Sequence, residues 1–269
     1  SQRLLSYFSQ SGKYTEELGG LEFYKFISDL EKNFDSISDQ IINELQYVSD
    51  AIFNRQNLLV GVTTDMKDYR EFEDNFGALA AELGDKKSKP QRYAFNTTSD
   101  NEGLITPGKV QFAAKGYNFK RLGYSYNGGM QVLETIVGLD YLWNNVRVKG
   151  GAYGAFINIE RNGNIYMSSY RDPNLRETLD VYDEAAGYIR DFDAGDREMT
   201  KYIIGTVSKL DYPLTPSMKG DRAVQNYLTH VTQDDIQRER DEVLSVKSAD
   251  IRAFAGMVRD AMNNGCYCV

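Results

Sequence analysis

The sequence predicts an α+β fold in which helices cover one face of a mostly antiparallel sheet. Three features support this: a strand at 108–119 followed by a long helix at 127–147, a hairpin within 152–170, and a run of helices after it. Strands that pair locally while the helices are grouped together are typical of α+β domains. The 269 residues are enough for two modest domains, which is our expectation.

The first third of the chain shows a pattern of helices around a short β-rich run. Apolar residues at spacings of three and four predict an amphipathic helix at 20–34, whose aromatic face we expect to pack in a core. A second helix is predicted through Ile41, Leu45 and Val48, and a third at 68–83. The β-rich run lies between them, at 57–65. This segment therefore has an α-β-α pattern.

The middle of the chain contains the clearest turn signals. Residues 84–107 are polar and rich in Gly, Pro and Asn, which indicates a linker. Asn162 and Gly163 join two β-rich runs and predict the positive φ angles of a tight hairpin turn. Asp172 and Pro173 predict the N-cap and first residue of the next helix. Further helices are predicted at about 197–210, 217–230, 233–245 and 248–263.

Composition excludes several classes of protein. The formal net charge of −8 and the pI near 4.9 argue against nucleic-acid binding and favour a cationic or peptide partner. No apolar run approaches the roughly 18 to 20 residues that span a bilayer, so we expect no membrane partner. Cys266 and Cys268 lie two apart on a predicted strand, where a bridge would be strained. We therefore expect buried, reduced thiols and a cytoplasmic location, with an organelle matrix as the alternative.

The chain offers little for conventional catalysis. His230 is the one histidine, and it lies near the end of a predicted helix, where a surface or dipole role is the expectation. No HExxH or HxxEH motif occurs, so no zinc site is expected in this chain. The acidic pairs Asp234/Asp235 and Asp241/Glu242 are expected to solvate the polar face of a helix.

The stretch RVKGGAYGAF, residues 147–156, combines cations, glycines and a tyrosine. Taken singly, Arg147 could simply favour a helix C-terminus, Gly150 and Gly151 could end that helix, and Tyr153 could be a half-buried strand residue. Together, Arg147 and Tyr153 are two donors suited to a peptide carbonyl or to the oxyanion formed when it is attacked. An apolar strand edge beside them could also pair with an extended peptide.

Four stretches carry a resemblance to a known family. They are LGGLEFYKFISDLEKNF, PGKVQFAAKGYNF, VRVKGGAYGAF with the following SYRDPNLRETLDVY, and IQRERDEVLSVKSADIRAF. The chain resembles the C-terminal part of the insulinase-like (pitrilysin, M16) zinc metallopeptidases, in the presequence protease and falcilysin branch. Both ends look cut, because no cap precedes the first helix and an apolar strand begins at the last residues. We therefore expect a piece of a longer protein.

The resemblance implies an architecture for the whole protein. Members of the family have four similar α+β domains in two halves that enclose a chamber. Residues 1–88 would be the C-terminal part of the third domain, 89–104 a linker, and 105–269 most of the fourth domain. The zinc site would lie upstream in the first domain, so zinc is expected in the full-length enzyme and no cofactor in this chain. The chain alone is then expected to be inactive.

The resemblance also implies site residues. Arg147 and Tyr153 match an Arg and a Tyr of the fourth domain that reach across the chamber to substrate, while Lys149, Gly150 and Gly151 are neighbours that could touch it. The implied function is substrate binding and transition-state stabilisation in a zinc endopeptidase that degrades unstructured peptides. The implied partners are the peptide and the missing N-terminal half. The alternatives are a non-catalytic M16-like binding or structural subunit and, third, a stand-alone peptide-binding domain.

Overall fold

The computed structural model describes residues 1–86, 92–98 and 100–269, which form two compact units. The first unit consists of Ser1–Phe23, Ala94–Tyr212 and Gln233–Val269, and the second of Tyr24–Tyr93 and Pro213–Thr232. The chain therefore leaves the first unit and returns to it twice. Residues 87–91 and 99, which fall in the polar segment predicted as a linker, lie outside the described residues. The assignment of 1–88 and 105–269 to a third and a fourth family domain stays a prediction.

Five strands form the described sheet. The strands are β1 Asn101–Glu102, β2 Ala114–Asn118, β3 Gly154–Ile159, β4 Asn164–Tyr170 and β5 Cys266–Cys268. Their order across the sheet is β1-β5-β2-β4-β3. β1 pairs with β5 in parallel, and the other three pairings are antiparallel. The mostly antiparallel α+β fold is thereby confirmed.

Helices account for most of the remaining regular structure in the described residues. The α-helices are α1 Gln2–Leu5, α2 Gln10–Gly19, α3 Leu21–Ile52, α4 Met66–Glu82, α5 Gly129–Ile136, α6 Arg176–Arg190, α7 Asp196–Leu210, α8 Pro216–Thr229, α9 Gln233–Ser245, α10 Ser248–Ala253 and α11 Ala255–Asn263. A π-helix at Val137–Lys149 continues directly from α5, and short 3₁₀ helices lie at Arg55–Asn57 and Phe119–Leu122. The helix predicted at 248–263 is divided at Phe254.

The main core lies between one face of the sheet and a helical layer that includes α5, the π-helix, α6 and α11. Alternate side chains of β3 and β4 point into it, among them Ile157, Ile165 and Met167, which are at most 5% exposed. The facing helices contribute Leu133 and Ile136, both fully buried. Burial of each such side chain contributes about 1.5–3 kcal/mol, so this layer stabilises the unit substantially.

A second, smaller core lies on the opposite face of the sheet. Leu4, Tyr7 and Phe8, from α1 and the residues after it, pack with Ala114 of β2 and with the two cysteines of β5. Cys266 and Cys268 are buried on one face of their strand, as predicted, because side chains two apart in a strand point the same way. The sequence prediction did not include a helix on this face.

The second unit differs from its prediction. The two helices predicted before residue 50 are one 32-residue helix, α3, and none of its residues is buried. Phe26 and Phe34, expected in a core, are 57% and 55% exposed. The predicted β-rich run at 57–65 contains no strand. A strand needs a neighbour for its backbone groups, and the described residues pair no other segment with this run.

The hairpin between β3 and β4 is confirmed, with one correction to its turn. Gly163 has a φ of +104°, as predicted, but Asn162 does not adopt positive φ. Instead, the Asn162 side-chain oxygen accepts a hydrogen bond from the Asn164 backbone N–H at 2.9 Å, while the Gly163 N–H donates to the Glu160 carbonyl, also at 2.9 Å. The turn therefore depends on one left-handed glycine and an Asn side chain.

The predicted helix start at Asp172 is wrong. α6 begins at Arg176, and Asp172 is fully buried before it. Its carboxylate accepts hydrogen bonds from the Asn174 N–H at 2.9 Å and from the Thr178 hydroxyl at 2.7 Å. The aspartate therefore stabilises a buried turn before α6 and is not the N-cap of that helix. Among the described residues, no helix combines the length and apolarity needed to cross a bilayer.

We expect Gly163→Ala to lower the free energy of unfolding of the first unit by about 1–3 kcal/mol. A Cβ there would meet the Asn118 side-chain oxygen at 2.6 Å, in a backbone conformation that alanine adopts rarely. Gly187→Ala is the matched control: it lies within α6 with nothing near its Cβ position, so it should raise stability by about 0.5–1 kcal/mol. Urea unfolding followed by fluorescence of Trp143, the sole tryptophan, measures both. Equal effects would contradict the turn assignment.

Candidate functional site

The π-helix ends where the candidate residues begin. Gly150 occupies its C-cap, and a Cβ at that position would lie 2.6 Å from the Val146 carbonyl oxygen. Gly151 follows with a φ of +82°, and its N–H donates to the Arg147 carbonyl at 2.9 Å. The two glycines therefore end the helix, as predicted, because the first needs close backbone approach and the second a left-handed conformation.

Arg147 lies between two aromatic rings. Its guanidinium carbon is 3.9 Å from the centre of the Trp143 ring and 6.0 Å from the centre of the Tyr153 ring. Trp143 is one helical turn earlier, so the helix itself places the indole under the cation. A guanidinium stacked on an aromatic face keeps its N–H groups free at the edge of its plane. The cation is thus oriented without using its hydrogen-bond donors.

Tyr153 immediately precedes β3 and projects into solvent. Its backbone N–H donates to the Tyr170 carbonyl at 3.0 Å, which joins it to the end of β4. Its ring meets the Tyr170 ring edge to face, with centres 5.8 Å apart, and the residue is 67% exposed. The backbone is therefore fixed while the phenol stays accessible. Our alternative of a half-buried strand aromatic is wrong.

An open groove of about 810 Å³ brings the candidate residues together. Arg147, Gly151 and Tyr153 line it. Lys149 does not, because it is directed along the helix, where its ammonium donates to the Asn145 side chain at 3.1 Å. Gly150 is also outside the lining, and the Asn174 amide donates to its carbonyl. The remaining lining residues are Gly108, Lys109, Val110, Val148, Ala152 and Arg171.

A tight corner after β4 forms one wall of the groove. Arg171 has a φ of +51°, a conformation that only His230 shares among non-glycine residues in the described chain. Next to it, the backbone of Asp172 exchanges two hydrogen bonds with Gln111, both at 2.9 Å. This bridge brings the segment with Lys109 and Val110 to the groove. The buried Asp172 side chain anchors the same corner.

Aromatic stacking holds the π-helix in place behind the groove. Tyr141 of the π-helix stacks on Tyr188 of α6, with ring centres 4.9 Å apart. The Tyr141 hydroxyl also donates to the Val181 carbonyl at 2.7 Å. Burial raises the pKa of Tyr188 to about 12, and it raises the pKa of Tyr141 as well. Both phenols therefore stay neutral at ordinary pH, and the stack carries no charge that would oppose its burial.

β3, which starts directly after Tyr153, is an edge strand of the described sheet. Near its far end, the Ile159 N–H donates to the Glu134 carboxylate at 3.0 Å. Burial raises the pKa of Glu134 above its usual value. A side chain from α5 thus occupies one backbone donor of β3, and a groove of about 540 Å³ runs past Ala155 and Ile157. The predicted strand edge beside the two donors is present.

The residues described here do not fit a zinc site. Among them, no group of three or more His, Cys, Asp or Glu is arranged to hold a metal. His230 is exposed at the end of α8, as predicted for a helix-end histidine. The prediction that Asp241 and Glu242 only solvate a helix face is wrong for Glu242. Its carboxylate accepts a hydrogen bond at 2.6 Å from the N–H of Gly128, the N-cap of α5.

Comparison with known proteins identifies the family. Residues 101–269 match the family described as the PreP C-terminal domain. The chain belongs to the PreP C-terminal domain family. It is 42% identical over its whole length to Protein HypA of Clostridium perfringens, and 31% identical over 93% of its length to presequence protease 1 of Arabidopsis thaliana, a protein named as chloroplastic/mitochondrial. It spans 27% and 24% of those two proteins.

These matches confirm the resemblance to the presequence-protease branch of the M16 peptidases. Solved structures agree on the fold of this PreP C-terminal domain. A protease from Helicobacter pylori superposes with a TM-score of 0.53 at 15% identity, covering 76% of this chain and 52% of that one. An inactive domain of peptidase M16 from Pseudomonas fluorescens gives 0.52 at 12% identity, covering 76% and 50%. At such identities the likeness shows the fold alone.

Sequence reasoning missed two cations of this groove, Lys109 and Arg171, and the indole of Trp143 that stacks on Arg147. Trp143 could have been found, because a residue four before Arg147 on a helix lies on the same face. Lys109 and Arg171 could not, because both reach the groove through the backbone bridge between Gln111 and Asp172. No local pattern in the sequence indicates that bridge.

The buried pair Asp172 and Thr178 is expected to be strongly coupled. Asp172→Ala should lower the free energy of unfolding by about 1–3 kcal/mol, because it leaves the buried Thr178 hydroxyl without its acceptor. Thr178→Val should lower the free energy of unfolding less in the Asp172→Ala variant than it does in the unsubstituted chain. A double-mutant cycle by urea unfolding measures this coupling. Additive effects would show that the hydrogen bond does not hold the corner.

Proposed function

We propose that this PreP C-terminal domain is the substrate-binding part of a zinc-dependent endopeptidase that degrades unstructured peptides. The observation that carries the proposal is the common groove of Arg147 and Tyr153, with the guanidinium carbon 6.0 Å from the centre of the phenol ring. Both side chains are donors, both are accessible, and neither is committed to an ion pair within the described chain. The family supports a peptidase context.

The mechanism assigned to the two residues is electrostatic. A peptide carbonyl oxygen accepts a hydrogen bond in the ground state and becomes negatively charged when its carbon is attacked. Donors that the fold already holds in place stabilise this negative charge most effectively, because they need no reorganisation when it forms. Trp143 orients Arg147, and the backbone bond to Tyr170 orients Tyr153. The two side chains thus bind substrate and stabilise the charge that develops on it.

The hydrolytic group must come from elsewhere in the protein, since the described residues do not fit a metal site. The family resemblance assigns zinc to an upstream half, and this chain would be inactive alone. We propose that this half and the peptide are its partners. The cytoplasmic location, with an organelle matrix as alternative, belongs to the same proposal and is supported by two buried, unbridged cysteines.

In the longer protein, Tyr153→Phe and Arg147→Ala should each lower kcat for an unstructured peptide about 100- to 1,000-fold, the usual cost of removing an oxyanion donor. KM should change much less. Tyr212→Phe is the matched control, because this phenol is similarly exposed, at 60%, but lies outside the groove. Peptide cleavage is measured before chelation, after it, and after zinc is returned.

Two results would contradict the proposal. If Tyr153→Phe and Arg147→Ala leave kcat unchanged in a zinc-restorable enzyme, the two residues do not act on the substrate. If the zinc-replete protein cleaves no peptide at all, the non-catalytic binding subunit becomes the better description.

A further inference from the structure

The groove beside Tyr153 carries a local excess of positive charge. Lys109, Arg147 and Arg171 line it, and no carboxylate does. Within the described residues none of the three forms an ion pair, whereas several other Lys and Arg side chains do. In a chain with a formal charge of −8, this groove therefore has three cations and no carboxylate in its lining.

The position of Arg171 is fixed by the fold despite an unfavourable backbone. Its φ of +51° lies in the region where glycine or asparagine is favoured, yet an arginine occupies it. Such outliers occur where surrounding structure over-determines the backbone, and they concentrate at functional sites. Here Asp172, fully buried and bonded to Thr178 and Asn174, provides that constraint. The guanidinium therefore leaves the chain at a defined point on the rim.

Arg171 is also linked to the proposed substrate site. Its carbonyl accepts a longer hydrogen bond, 3.4 Å, from the Tyr153 N–H, which places the two residues side by side. Arg147 is oriented by Trp143, whereas Arg171 is exposed and bonded to no described carboxylate. A group bound at Arg171 would therefore lie next to a carbonyl held by Arg147 and Tyr153. The backbone bridge between Gln111 and Asp172 adds Lys109 to the same wall.

We propose that Arg171, assisted by Lys109, forms a subsite that recognises a peptide carboxylate beside the position bound by Arg147 and Tyr153. This inference rests on the proposed function, because it assumes that a peptide occupies the groove. A guanidinium matches a carboxylate in two parallel hydrogen bonds, which favours this ligand over a neutral side chain. The carboxylate comes either from an Asp or Glu side chain or from the C-terminus of the peptide.

The test measures direct binding to the 269-residue chain by fluorescence anisotropy. Three labelled, unstructured peptides are compared: one with a single Glu and a free C-terminus, one with that Glu replaced by Gln, and one with an amidated C-terminus. We expect the peptide with the recognised carboxylate to bind about fivefold tighter at low salt than the peptide that lacks it. Weaker binding of the Gln peptide identifies the side-chain carboxylate as the recognised group, and weaker binding of the amidated peptide identifies the C-terminal carboxylate. At about 0.5 M NaCl the difference should largely disappear.

Variants assign the effect to Arg171. Arg171→Gln should abolish the preference for the carboxylate, so that the three peptides bind with equal affinity. Arg171→Gly removes the same charge and suits the positive φ, so it serves if the Gln variant is unstable. Arg197→Gln, which removes an exposed cation of α7 outside the groove, is the control and should retain the preference.

Three results would contradict the subsite. Equal binding of all three peptides overturns it, as does a carboxylate preference that survives both Arg171 variants. Failure of every peptide to bind this chain overturns it as well. The cleavage experiment on Tyr153→Phe is independent: an Arg171-dependent preference with no effect of Tyr153→Phe on kcat would sustain the subsite and reject the proposed catalytic role.

Discussion

The packing of the π-helix against the β3–β4 hairpin is the constraint on which the candidate site depends. Val146, the residue before Arg147, and Ala152, the residue before Tyr153, are both buried in this interface. The Ala152 N–H donates to the Val146 carbonyl at 3.1 Å, so the two buried residues are also bonded to each other. Each of the two candidate side chains, Arg147 and Tyr153, therefore directly follows a residue that is fixed in the core. Apolar packing of Val146 and Ala152 therefore determines where the candidate side chains leave the backbone.

Much of the fold could be predicted, because local signals and tertiary packing agree in the first unit. The β3–β4 hairpin has alternating strands and a glycine that the turn requires, and the helices predicted at about 197–210 and 233–245 form at 196–210 and 233–245. The second unit shows the limit. The helix at 21–52 has the same periodicity, and the helix forms, but periodicity identifies a helix face without identifying what covers it. Within the described residues nothing buries that face.

The candidate site was predictable to a different degree. The RVKGGAYGAF stretch alone suggested Arg147 and Tyr153 as two donors, and the family resemblance assigned them a role at the substrate. The corner at Arg171 and Asp172 was misinterpreted, because an Asp followed by Pro is equally suited to a helix N-cap and to a buried turn. Which one forms depends on whether the aspartate finds partners inside the fold. Here Thr178, six residues later, supplies one of them.

The net charge of the chain illustrates why a global property does not decide a local one. A charge of −8 favours cationic partners when it is treated as a uniform field. At physiological salt, however, exposed charges are screened beyond about 8 Å, so a bound group responds mainly to its neighbours. In the groove those neighbours are Lys109, Arg147 and Arg171. An anionic group can thus be attracted to one wall of an acidic protein, because the local arrangement of charge, set by a backbone bridge, outweighs the total.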